Sequence, residues 1–180
     1  DFVPVRHRKL AFADLALPLA HGETMLKPVL EGRLLQALDL KPTDDVLQIG
    51  AGSGFLSACL ARLARAVHAL ELHPDLAAEA QRRLDAAEIA NVRLECADAA
   101  TWSTGQRFDA ILVGGAVAEL PQRFADWLKP GGRLVAVRGQ APVQEAVCAY
   151  AEAAGLRVES LLETDIPYLR GFAPQARFAL

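Results

Sequence analysis

Cysteine, aromatic residues and net charge are all scarce in this sequence of 180 residues. The three cysteines, Cys59, Cys96 and Cys148, form no paired motif, which argues against a disulfide scaffold and favours a reducing, cytoplasmic setting. A formal net charge of −3 gives no electrostatic reason to expect nucleic acid or an anionic membrane as a partner. No apolar run reaches the roughly 20 residues that a membrane helix needs.

The four histidines are also spread without the spacing of metal ligands, so we expect no metal site. Hydrophobic residues make up 52% of the chain, enough for a sizeable core. The length suits one domain over residues 1–180, in which residues 41–180 form the core and residues 1–40 form an N-terminal extension.

Short β-like runs alternate with longer helical ones from Val46 onward. The predicted strands are DVLQIG, AVHALEL, NVRLECAD, FDAILVGG and RLVAVRG, and two final runs, LRVESLLETDI and QARFAL, predict an antiparallel hairpin. The predicted helices are FLSACLARLA, PDLAAEAQRRLDAAEI, PQRFADWL and VQEAVCAYAEAAG, with KPVLEGRLLQALDL in an otherwise irregular extension. This alternation predicts an α/β fold with a doubly wound, mostly parallel, seven-stranded Rossmann-like sheet.

Three glycines, Gly50, Gly52 and Gly54, follow the first predicted core strand in the stretch GAGSGF. Ligands of doubly wound sheets bind outside the carboxyl ends of the strands, where glycine lets a ligand approach the backbone. The glycine spacing alone is weak evidence for a ligand site. A glycine-rich turn that only packs a helix against a strand remains an alternative.

Two acids follow at the ends of the next two predicted strands, Glu71 and Asp98. A carboxylate at Glu71 can accept hydrogen bonds from both hydroxyls of a ribose, and Asp98 can accept one from an adenine amino group. Together with the glycines, these acids predict an adenosine pocket.

At these residues the chain resembles the class I S-adenosylmethionine-dependent methyltransferases, and within them the protein-L-isoaspartate O-methyltransferase family. The segments that carry the resemblance are AFADLALPLAHGETMLKP, VLQIGAGSGF, NVRLECAD, FDAILVGG and LKPGGRLVAVRG. The resemblance covers nearly the whole chain, and its N-terminal segment is the more specific part.

The resemblance implies an enzyme that binds S-adenosyl-L-methionine, releases S-adenosyl-L-homocysteine and methylates the carboxyl of isoaspartyl residues in damaged proteins. It implies a cofactor site at Gly50, Ala51, Gly52, Gly54, Glu71, Leu72, Asp98, Ala99 and Gly114. It also implies a substrate lip at Thr24, Met25, Leu26 and Lys27, with the region around Pro167 covering it. No catalytic side chain is expected, because a carboxylate acceptor is already ionised at neutral pH.

Two positions depart from the family pattern. Gln48 stands where the family usually has an acid, two residues before the first glycine, and supplies no negative charge to the cofactor's ammonium group. Leu26 stands where the family typically has a serine, and leucine cannot hydrogen-bond a substrate carboxylate. Some bacterial members carry the same Met-Leu pair, so the resemblance is to a divergent bacterial branch.

These departures keep alternatives open. One is a methyltransferase of the same fold with another acceptor, and another is a binding module that keeps the cofactor without catalysis. An NAD-dependent oxidoreductase is a third, although the GxGxG spacing and Asp98 count against it.

Overall fold

A seven-stranded sheet forms the centre of the computed structural model, which describes residues 1–175. Its strands, in spatial order, are β5 (Val92–Cys96), β4 (Ala66–Glu71), β3 (Asp45–Ile49), β6 (Phe108–Val117), β7 (Leu128–Gln140), β8 (Val143–Glu152) and β9 (Gly155–Thr164). Strands β5 to β7 run parallel, and β8 and β9 continue the sheet antiparallel. The predicted fold class is therefore confirmed.

Helices cover both faces of this sheet, and their bounds are α1 (Pro28–Leu38), α2 (Phe55–Leu63), α3 (Pro74–Ala86) and α4 (Gln122–Asp126). Alternate strand residues enter opposite cores: Val46 of β3 packs with α1 and α2, and its neighbour Leu47 packs on the side of Phe124 in α4. None of the helices in residues 1–175 is long and apolar enough to cross a membrane.

The predicted helix over residues 143–155 is wrong, because most of this segment forms β8. Its alanines and glutamates favour a helix locally, but pairing with β7 and β9 satisfies its backbone along both edges. Strand β9 pairs with β8, and the predicted closing hairpin between β9 and QARFAL stays a prediction. Residues 176–180 of that run lie outside the described residues.

The N-terminal extension is mostly irregular, as predicted, before α1. It contains short 3₁₀ turns at Val5–Leu10 and Ala20–Gly22, and a two-stranded ribbon in which β1 (Leu17–Pro18) pairs with β2 (Thr24–Met25). Helix α1 follows directly and buries Leu30, Leu34 and Leu38 against the sheet. Leu35 of the same helix is only half-buried.

Arg133 of β7 fastens the end of α1 to the sheet. Its guanidinium donates hydrogen bonds to the backbone carbonyls of Leu38 and Asp39, and pairs with Asp44 at 2.9 Å. These carbonyls lie at the end of α1, where helical partners are lacking, so the contact also serves as a C-terminal cap.

We predict that Arg133→Met lowers the free energy of unfolding by about 2–4 kcal/mol, because it leaves the buried Asp44 carboxylate without its cation. Urea denaturation measures the loss, with the exposed Arg93→Met as control. A loss no larger than that of the control would contradict the role given to Arg133.

Candidate functional site

A cleft opens at the carboxyl edge of the parallel strands, next to the N-terminal extension. Its walls come from five parts of the chain: the extension, the loop after β3, the ends of β4 and β5, the glycines of β6 and the segment after β9. The lining residues are Leu19, Glu23, Thr24, Leu26, Ile49, Gly50, Gly52, Leu70, Glu71, Leu72, Ala97, Asp98, Ala99, Gly114, Gly115, Pro167, Tyr168, Leu169 and Arg170.

Most of the predicted cofactor residues therefore meet in one place. Seven of the nine line the cleft directly: Gly50, Gly52, Glu71, Leu72, Asp98, Ala99 and Gly114. Ala51 lines a small adjoining cavity instead. Gly54 lines neither, because it begins α2 with a φ of 85° and packs against Ala80 of α3.

The glycine loop is held by its own backbone amides. Gly50 and Ala51 both donate to the carbonyl of Leu70, at 2.9 and 3.0 Å, and Gly52 donates to Oε2 of Glu71 at 2.7 Å. Gly50 and Gly52 have φ values of 81° and 55°, which glycine adopts readily. The loop thus offers a closely approachable backbone, whereas these three amides are already engaged within the protein.

Gly114 lets β6 pass directly beside this loop. A Cβ at this position would lie 2.7 Å from the carbonyl oxygen of Gly50 and 3.2 Å from that of Ile49. Any larger residue would therefore push the loop and the strand apart, and it would alter the floor of the cleft.

Glu71 is buried, with 5% of its surface exposed, at the end of β4. Besides Gly52, it accepts a hydrogen bond from the backbone amide of His73 at 3.0 Å through Oε1. Each carboxylate oxygen has a second lone pair, so the group can still accept two hydroxyl hydrogens. The fold thus orients the carboxylate without saturating it.

Asp98 lies exposed at the end of the next strand, beside the buried Ala99. Its Oδ1 accepts the amide hydrogen of Ala100 at 2.8 Å, which fixes the side chain in a tight turn. The remaining oxygen, Oδ2, is available to a donor in the cleft.

Only some residues of the predicted substrate lip face the cleft. Thr24 and Leu26 line the cleft, Met25 lines the adjoining cavity, and Lys27 is exposed and lines neither. Leu26 is 6% exposed and packs in the apolar core that includes Leu30 and Leu56. Pro167, predicted to cover the site, does line the cleft, and Ala116 donates to its carbonyl at 2.9 Å.

The lip is tethered to the start of α3 by two side-chain pairs. Nε2 of His21 lies 2.8 Å from Oδ1 of Asp75, and Nε2 of His73 lies 3.4 Å from Oε1 of Glu23. The rings of His21 and His73 stack in parallel with centroids 4.1 Å apart. The contact with His21 holds the pKa of Asp75 below its usual range. Both histidines thus position the lip beside Glu71.

Gln48 is fully buried beneath the glycine loop and uses its amide inside the fold. Its Oε1 accepts the hydroxyl hydrogen of Ser57 at 2.6 Å, and its Nε2 donates to the carbonyl of Gly50 at 3.3 Å. The side chain that replaces the family acid therefore supports the loop and brings no charge to it.

Sequence reasoning missed two charged residues at this site, Arg170 and Glu31. Arg170 lines the cleft from the segment after β9, and Glu31 lines the adjoining cavity from α1. Glu31 lies three residues before Leu34 and seven before Leu38, and this helical spacing was the available signal that it faces inward.

The sequence matches the family model of protein-L-isoaspartate(D-aspartate) O-methyltransferase over residues 1–164. The chain belongs to this family. It is 42% identical over 143 residues to protein-L-isoaspartate O-methyltransferase 1 of Anaeromyxobacter, covering 78% of this chain and 68% of the relative. It is 36% identical over 176 residues to the Caulobacter vibrioides enzyme, covering 96% and 79%.

Solved structures with the same fold include a protein-L-isoaspartate O-methyltransferase from Plasmodium falciparum in complex with S-adenosyl-L-homocysteine. That match has a TM-score of 0.76 at 23% identity and covers 88% of this chain and 81% of the other. As a member of this family, the protein is an S-adenosylmethionine-dependent methyltransferase. The roles of individual residues in its site stay predictions.

In this methyltransferase we predict that Gly114→Ala weakens binding of S-adenosyl-L-homocysteine and lowers the free energy of unfolding by about 1–3 kcal/mol, because the new methyl overlaps the carbonyl of Gly50. Calorimetric titration and urea denaturation measure the two effects. Gly105→Ala is the control, since a Cβ there meets nothing within 4 Å. Equal behaviour of the two variants would contradict the close approach.

A second prediction concerns Glu31, whose burial raises its pKa to about 7. Between pH 4.5 and 7 the folded protein keeps this proton and the unfolded chain releases it, so the carboxyl destabilises the fold as pH rises. We expect Glu31→Gln to raise the free energy of unfolding above pH 7 by at most about 3.5 kcal/mol, because each pH unit of this window contributes about 1.4 kcal/mol.

Denaturation of both proteins from about pH 4.5 to pH 8 measures this difference. It should be near zero at the acidic end and grow toward neutral pH. A difference that stays constant with pH would show that the carboxyl does not titrate as its burial requires.

Proposed function

We propose that this protein transfers the methyl group of S-adenosyl-L-methionine to the free carboxyl of L-isoaspartyl residues in damaged proteins. The observation that carries the proposal is the shared cleft: the lip residues Thr24 and Leu26 line the same cavity as Glu71, Asp98 and the glycine loop. Family membership supports the acceptor class, since the relatives are named for it.

The residues of the cleft fit the cofactor. Glu71 would accept hydrogen bonds from the ribose hydroxyls through its remaining lone pairs, and Asp98 would accept one from the adenine amino group through Oδ2. The small side chains of Ala97 and Ala99 leave a slot for a flat ring. Gly50 and Gly114 would let the middle of the cofactor lie against the backbone.

When bound, S-adenosyl-L-methionine supplies an electrophilic methyl group on a sulfonium and leaves as a neutral thioether. The chain's own residues orient the acceptor and exclude water. The apolar side chains of Leu19, Leu26 and Leu169 line the cleft and reduce its solvation. An acceptor carboxylate is ionised at neutral pH and needs no general base, so in-line positioning carries the catalysis.

Arg170 supplies a cation at the cleft wall, where Leu26 cannot bind an acceptor carboxylate. A guanidinium attracts a carboxylate and can bind it in a bidentate manner. The C-terminal segment would thus perform part of the recognition that a serine in the lip would otherwise provide.

A second candidate is a methyltransferase with a different acceptor. The observation that favours it is the burial of Leu26 in the apolar core, which removes a polar contact from the lip. A less polar acceptor would suit this wall better than a carboxylate.

Transfer of labelled methyl from S-adenosyl-L-methionine to an isoaspartyl peptide, with the matched aspartyl peptide as control, tests the proposal. We expect labelling of the isoaspartyl peptide alone. Arg170→Gln should raise the KM for the peptide about ten-fold, as expected for loss of a charge-assisted contact, and leave cofactor binding unchanged. No labelling of either peptide by a protein that binds S-adenosyl-L-homocysteine would favour the second candidate.

A further inference from the structure

Glu31 is a buried carboxyl for which the fold supplies no partner. It is 5% exposed, in the first turn of α1. Within residues 1–175, no N–H or O–H group donates a hydrogen bond to it, and burial alone accounts for its raised pKa. Buried carboxyls are ordinarily hydrogen-bonded or paired, so an unpartnered one calls for an explanation.

Among the described residues, the cavity beside Glu31 is lined by apolar side chains and by the hydroxyl-bearing Thr24 and Ser53, with no second charged residue. Cys59 of α2 faces Glu31, and the pKa of that thiol is raised by its own burial and then by the negative charge of Glu31. No cation of the described chain shifts the pKa of Glu31. A cation that enters this space would therefore find an uncompensated carboxylate.

The carboxyl lines a small cavity that continues the cofactor cleft. Both spaces are bounded by Thr24, Leu26, Gly50, Gly52 and Gly114. If Asp98 marks the adenine end and Glu71 the ribose, as in the proposed function, the opposite end of the cofactor passes Gly50 and Gly114 and points into this cavity. That end carries an α-ammonium group.

Gln48 leaves this ammonium without the charge that the family usually provides. Its amide is neutral, fully buried and engaged with Ser57 and Gly50. A carboxylate is therefore missing beneath the loop, and an unpartnered carboxyl lies in the adjoining cavity.

We propose that Glu31 of α1 binds the α-ammonium group of the cofactor and replaces the acid that Gln48 lacks. The inference rests on the proposed use of S-adenosyl-L-methionine. It also gives the N-terminal extension a contact with the cofactor besides its contact with the substrate. Because an ammonium group stabilises the ionised carboxylate, binding would release the proton that Glu31 holds in the free protein near pH 6.5.

Calorimetric titration with two probes tests this assignment. S-adenosyl-L-homocysteine carries the ammonium group, whereas 5′-methylthioadenosine has the same adenosine and thioether without the amino-acid end. At about pH 8 we expect Glu31→Gln to lower the affinity for S-adenosyl-L-homocysteine about ten-fold or more. The affinity for methylthioadenosine should change by less than about two-fold. The exposed Glu88→Gln is the matched control and should change neither.

Proton release gives an independent readout. Titrations near pH 6.5 in two buffers of different ionisation enthalpy should show proton release on binding S-adenosyl-L-homocysteine to the original protein. They should show none for Glu31→Gln.

Unchanged affinity of Glu31→Gln for S-adenosyl-L-homocysteine, or an equal loss for both probes, would overturn the assignment of Glu31. Failure of the original protein to bind either probe would instead overturn the proposed function from which the assignment starts.

Discussion

The rest of the site depends on the attachment of the glycine loop to the end of β4. The Leu70 carbonyl accepts two loop amides, and the Glu71 carboxylate accepts a third. One strand end therefore fixes the backbone that forms the floor of the cleft, and the same interaction aims the carboxylate that is predicted to hold the ribose. Because the loop backbone and the Glu71 carboxylate are already ordered, binding a nucleoside does not incur the entropy cost of ordering them.

The N-terminal extension closes the cleft through contacts of a different kind. His21 and Glu23 reach the start of α3, where they meet Asp75 and His73. These contacts are polar and partly exposed, whereas the loop below is held by buried backbone hydrogen bonds. Since exposed ion pairs contribute little to stability, these two contacts orient the lip more than they stabilise it.

Much of this arrangement could be predicted from the sequence, because strand ends and glycines carry strong local signals. The parallel strands and the cleft residues after β3, β4 and β5 follow from alternation and turn chemistry. The segment over residues 143–155 could not be predicted in this way, since its alanines and glutamates favour a helix and only pairing with two neighbours makes it a strand.

The two site residues that the sequence analysis did not predict were missed for the same reason. Glu31 and Arg170 lie outside the motifs, and only the three-dimensional packing of α1 and of the segment after β9 brings them to the cleft. Charged residues usually lie at the surface of a protein. A glutamate within a leucine-rich helix is therefore expected on the polar face of that helix, even where the fold buries it. Its unpartnered state becomes visible only in the fold.

The attachment of α1 to the far side of the sheet has a consequence for how the chain folds. Its last carbonyls are held by Arg133, 95 residues later, and the thiol of Cys148 donates to the Ala37 carbonyl across 111 residues. During synthesis this helix emerges early, and its contacts with β7 and β8 can form only after those strands have emerged. Contacts of such long range slow folding and prolong exposure to aggregation. A helix near the start of the chain thus completes its packing only after β8 has been made.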